Sequence, residues 1–169
     1  MKKSILTSIL FLLSFTISFG QSSKQDKNGA IQVNVYGGKP VGVLNGHADY
    51  NVGFSVGYLG YINDIVRVGG SIGYDHTSVK SDSPLKDHST FEFLTIGGTA
   101  ELDLISNFYI GADLGYAFKI DPKTYQSHYF TPKIGYRFTD MFNVYAHYKG
   151  VRFPGYQVAS VGLGLSLDF

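Results

Sequence analysis

The final stretch of the chain, SVGLGLSLDF at residues 160–169, alternates strictly. Val161, Leu163, Leu165, Leu167 and Phe169 share one parity, and Ser160, Gly162, Gly164, Ser166 and Asp168 share the other. A period of two places these sets on opposite faces of a β-strand. The same pattern recurs along the chain, and no stretch after residue 28 carries helical apolar spacing of useful length. With 13 Tyr, 13 Phe and 21 Gly against 5 Pro, the chain reads as all-β.

Eight alternating segments are predicted, at 29–37, 49–61, 65–78, 90–104, 108–119, 128–138, 142–149 and 157–169. The breaks at 62–64, 105–107 and 139–141 are short, whereas GKPVGVLNGHA, VKSDSPLKDHS, IDPKTYQS and GVRFPGY are longer. Short connections at one end and longer ones at the other, with an even strand number, describe an eight-stranded antiparallel up-and-down barrel. Segments near ten residues suit a tilted membrane-crossing strand.

The N-terminus reads as a targeting segment. Lys2 and Lys3 precede the apolar run 5–19, with small residues at Ser18 and Gly20. This is the layout of a cleaved secretory signal peptide, residues 1–20, followed by a polar tail at 21–28 and the barrel at 29–169. The alternative is a retained N-terminal anchor. Loss of Lys2 and Lys3 takes the formal charge from +1 to −1, which gives nucleic acid no reason to bind. The chain has no Cys, so neither lipoprotein anchoring nor a disulfide scaffold applies.

Alternation alone leaves open which face lies inside. A secreted, soluble, lipocalin-like binding barrel would turn the apolar face inward. Glycines crowd the polar parity (Gly53, Gly69, Gly73, Gly115, Gly135, Gly164), where a narrow lumen has use for them. Aromatic residues gather at the two ends of the apolar face: Phe108, Phe138, Phe142 and Phe169 beside the short turns, Tyr50, Tyr74, Tyr116, Phe130 and Tyr148 toward the long loops. Two aromatic girdles around an aliphatic band fit two membrane–water interfaces. The apolar face is therefore assigned to lipid.

The terminal motif Val161, Leu163, Leu165, Leu167, Phe169 resembles the C-terminal signal of Gram-negative outer-membrane barrels, which the barrel-assembly machinery reads. The eight-strand plan is similar to the small OmpA/OmpX-type barrels. The Gly-Tyr pairs at 57–58, 73–74, 115–116 and 135–136 resemble the wider group of outer-membrane β-barrel domain or small porin-like proteins. This resemblance implies an outer-membrane location, with the short turns and both termini in the periplasm.

Several groups carry chemistry. Arg67, Glu101, Asp103, Asp113, Lys133 and Arg137 all have inward parity. Buried charges must be paired, so they are expected to plug the lumen; the sharper alternative is a gated ion path through the same network. Lys39, Lys80, Lys86, Lys119, Lys123, Lys149 and Arg152 lie in or next to the long loops and are candidates for contact with lipopolysaccharide phosphates. The five histidines fall in the long-loop half, near the outer rim. His47, His88 and His128 are the thinkable loop metal ligands, but no ligand spacing supports a metal or any cofactor. His76 and Ser78 share the outward face, and strand pairing would bring Glu92 to His76. That set is faintly similar to lipid A deacylase barrels, which makes a lipid A-modifying hydrolase the enzymatic alternative. The reading carried forward is a non-enzymatic outer-membrane barrel with a structural or interaction role in the envelope, in contact with lipopolysaccharide or envelope proteins.

Overall fold

A computed structural model describes residues 29–80, 90–120, 126–153 and 156–169. The expected signal peptide and polar tail lie outside the described residues. Eight strands run in chain order: β1 (Ala30–Gly42), β2 (Ala48–Tyr61), β3 (Val66–Val79), β4 (Thr90–Asp103), β5 (Phe108–Lys119), β6 (Gln126–Arg137), β7 (Phe142–Phe153) and β8 (Tyr156–Asp168). Each pairs antiparallel with its sequence neighbour, and β1 pairs with β8 to close the barrel. Closure leaves no free edge, so the backbone groups of the strands are satisfied within the sheet, as a lipid surround demands.

The short turns are built from local side-chain bonds. Asn63 Oδ1 accepts from the Ile65 and Val66 amides at 3.0 and 2.8 Å. Thr139 Oγ1 accepts from the Met141 and Phe142 amides at 3.2 and 2.9 Å. In the third turn Ser106 and Asn107 take positive φ (59° and 68°), and Asn107 Nδ2 donates to the Arg137 carbonyl at 3.1 Å. Short polar side chains that bond nearby backbone are what tight turns select.

Parity divides the barrel as expected. Apolar residues point outward; Val35, Ile72, Leu114 and Leu163 are 58–65 % exposed. Such a continuous apolar exterior is stable only in lipid, which overturns the soluble, lipocalin-like alternative. Inside, three buried tyrosines form a cluster, Tyr36, Tyr109 and Tyr145. Each lies over the glycine that is its register partner on the next strand: Gly53, Gly135 and Gly164. A Cβ on Gly53 would fall within 2.7 Å of three atoms of the Tyr36 side chain, so these glycines make room for the rings that occupy the lumen.

Two strands outrun their predicted ends by four or five residues. β1 continues to Gly42 through the GKP run at 38–40 that reads as a break, because β8 is long enough to pair with it as far as Gly42↔Val158. β7 continues to Phe153 for the same reason, its partners running to Tyr156. The loop between β1 and β2 turns at Gly42 and Gly46 (φ 67° and 81°) and sets Leu44 into the mouth of the lumen.

Candidate functional site

From the short-turn end to the loop end, the lumen is filled in layers. The first is an ion-pair belt. Arg67, at the start of β3, donates to Glu101 of β4 at 2.5 Å and to Asp168 of β8 at 2.8 Å. Arg137 of β6 reaches Glu101 at 3.0 Å and Asp103 at 2.6 Å. Gln32 of β1 donates to Asp168 at 3.1 Å. Five strands are thereby tied across the lumen. Arg67 and Glu101 are each 2 % exposed, so the pairing must offset a large desolvation cost. Three cations surround Glu101, since Lys133 also approaches it, at 3.1 Å. Lys133 in turn meets Asp113 at 3.1 Å, one level nearer the loops.

Above this lies a small polar cavity lined by Asn34, Thr131, Tyr145 and His147. It offers about 20 Å³, room for roughly one ordered water. Both ring nitrogens of His147 and the Thr131 hydroxyl are buried without a protein partner, as a hydrated cavity requires. A second ion pair roofs it: Lys149 donates to Asp75 Oδ2 at 2.5 Å and to the Tyr36 hydroxyl at 3.0 Å, which itself donates to Asp75 Oδ1.

The loop end of the lumen is apolar. Leu44, Phe91, Phe93, Val151, Phe153 and Val158 belong to one buried cluster there. An inward parity set that reads as polar near the short turns thus becomes greasy near the loops, and forms a cap that water enters at a cost.

All six expected lumen charges point inward, as their parity requires. Sequence reasoning left three partners out of that network: Asp168, Asp75 and Lys149. The first two carry inward parity and were legible from it. Lys149 corrects an expectation. Instead of standing at a loop to meet lipopolysaccharide, it is buried in the lumen, because β7 extends past it and keeps odd residues inside. His147 is likewise a lumen residue, 4 % exposed, and not a rim histidine.

The remaining rim candidates separate by face. Lys39 and Arg152 are exposed on the outward side of β1 and β7. Lys80 lies 4.0 Å from Asp49. Lys119 has inward parity, with its ammonium 5.5 Å from the Phe91 ring centre. Lys86, Lys123 and His88 lie outside the described residues. Among the described residues no group of three or more His, Cys, Asp or Glu could hold a metal.

The outward trio is half assembled. His76 and Glu92 are register partners, and His76 Nδ1 stands 3.2 Å from Glu92 Oε1. Ser78 is two residues farther along the same face and pairs with Thr90 in the ladder. Same-face neighbours on one strand lie about 7 Å apart at the backbone. The result is a His–carboxylate pair, with no hydrogen bond from Ser78 to His76 among the described residues.

No family model and no curated protein matches this chain. Solved structures do. The chain is similar to Ail, the attachment invasion locus protein of Yersinia pestis, with a TM-score of 0.58 at 13 % identity, over 86 % of this chain and 100 % of that one. The N-terminal β-barrel domain of Pseudomonas aeruginosa OprF gives 0.53 at 15 % identity, over 86 % and 100 %. Neisserial surface protein A gives 0.50 at 19 % identity, over 83 % and 97 %. The fold is that of the small outer-membrane β-barrels. At these identities the likeness reaches the fold and leaves the role to this chain's own residues.

Proposed function

We propose that this outer-membrane barrel is sealed and non-conducting, and serves the envelope as a structural or interaction protein through its loop end. The observation that carries this reading is the belt of Arg67, Glu101, Arg137 and Asp168, which spans the lumen and sets each of its own charges against an opposite one. An ordinary aqueous pore keeps its wall charges apart and wet; here opposite charges meet at 2.5–3.0 Å across the lumen near the short-turn end. The apolar cap supports the same reading from the other end.

The loop-end cations remain candidates for lipopolysaccharide contact at Lys39 and Arg152, together with Lys86 and Lys123. The outward row Val161, Leu163, Leu165, Leu167 and Phe169 is proposed as the segment the assembly machinery recognises. Residues 1–20 are proposed as the signal peptide that delivers the chain to it.

Reconstitution in planar bilayers tests the seal. Heat-modifiable protein that shows no steady current is the expected result; a persistent open conductance in the unaltered protein overturns the reading.

A further inference from the structure

One stretch of the lipid-facing surface collects polar donors without a carboxylate. Strand register sets Arg152 of β7 between His128 of β6 and Gln157 of β8. All three are exposed on the outward face at the loop end. Gln157 Nε2 donates to the Tyr148 hydroxyl at 2.8 Å. Gly150 stands between Tyr148 and Arg152 on the same face. A Cβ there would collide with Gln157 Nε2 and come within 3.2 Å of the Tyr148 ring. The missing side chain lets the Gln157 amide lie across the strand, so Gly150 is buried although it points outward. Its register partner on β6, Phe130, forms an exposed aromatic side wall.

The chemistry of this notch is one-sided. A guanidinium has five N–H donors and no acceptor. The Gln157 amide keeps a second N–H, and the Tyr148 hydroxyl, having accepted from Gln157, has its own proton to give. The His128 ring lies against Tyr116 at 5.0 Å. Among the described residues no carboxylate pairs with Arg152. The opposite side of the rim differs: there Lys80 has Asp49 and His76 has Glu92. A cation facing lipid at the level of the aromatic girdle needs an anion, and the headgroup layer supplies one.

We propose that this notch binds the phosphate of a membrane lipid. Arg152 takes two phosphate oxygens in the fork geometry its guanidinium favours, and Gln157, Tyr148 and His128 supply further donors. The acyl chains then run down the apolar face past Phe130 and Val161, both exposed. The assignment rests on the reading that the loop end meets a headgroup layer, and it adds a defined site and a ligand class.

The test uses the folded full barrel in a maltoside detergent, which contains no phosphate. Short-chain phosphatidic acid, the matching diacylglycerol and inorganic phosphate are titrated separately, with bound molecules counted by native mass spectrometry. The expected result is one phosphatidic acid per barrel, no comparable binding of diacylglycerol, and affinity about tenfold or more weaker in Arg152→Gln. Gln157→Leu weakens binding in the same direction, and Lys80→Gln, at a cation already paired, leaves it unchanged. Equal binding by the unaltered protein and Arg152→Gln overturns the site. Inorganic phosphate that saturates at the same concentration as phosphatidic acid overturns the lipid assignment. The gel shift on boiling, read on the same samples, reports separately whether the membrane barrel itself is intact.

Discussion

Arg67 concentrates the energetics of the lumen in one side chain. It is buried against two carboxylates from different strands, so its removal takes one of three cations from Glu101 and leaves Asp168 with Arg137 at 4.0 Å as its nearest cation, in a space with little water. Breaking a buried pair costs about 3–5 kcal/mol where the partner charge is left poorly compensated, as Asp168 is here. Arg67→Met is therefore expected to destabilise the barrel by about that amount, read from urea unfolding in lipid vesicles by loss of the heat-resistant band. Lys80→Ala is the contrast. Its partner Asp49 is 4.0 Å away and both side chains are more than a third exposed, so the change is expected to cost less than about 1 kcal/mol. Equal effects of the two changes would remove the belt as a structural element.

At the scale of the strand, the period of two carried most of the information. Which residues face lipid follows from parity, and the described strands keep it apart from a bulge between Ala48 and Tyr50 at the start of β2. What parity could not give was the strand ends. Gly38 and Pro40 read as a break because their local preferences oppose a strand. They stay in β1 because β8 offers a complete set of partners out to Val158. The same long-range pairing carries β7 past Lys149 and holds it in the lumen, beside His147, whose inward parity lay within the predicted segment. The polar notch at Arg152 was illegible for a related reason: it is assembled by register between β6, β7 and β8, and no single segment contains it. The apolar belt makes a direct prediction. Leu163, in mid-strand on β8 and 65 % exposed, faces the lipid interior. Leu163→Lys is expected to destabilise the barrel in vesicles by about 2–4 kcal/mol, whereas Ile105→Lys, in a short turn, changes it by about 0–1 kcal/mol. Similar costs at both positions would argue against a bilayer around β8.

On the sealed-barrel reading proposed above, the whole molecule places two different barriers in series along one axis. At the short-turn end, opposite charges neutralise one another across the lumen. At the loop end, Leu44, Phe93 and Phe153 close the mouth with apolar volume. The small cavity with His147 lies between them. On that reading either barrier alone stops ions, by different physics: a closed ion-pair layer leaves no free path, and a narrow apolar layer stays dry and excludes hydrated ions. Opening only one should therefore leave the barrel silent. The triple change Leu44→Ala, Phe93→Ala and Phe153→Ala removes the cap and keeps the belt. The change Arg67→Ala, Glu101→Ala and Arg137→Ala removes the core of the belt and keeps Lys133 with Asp113. In planar bilayers each variant is expected to give no steady current, provided its gel shift shows a closed barrel. The two sets combined are expected to give a continuous ohmic current. A current from the cap variant alone would show that the charged belt leaks. Silence in the combined variant would move the decisive seal to the level of Lys149, Asp75 and Tyr36, the one polar layer both sets leave intact above the cavity.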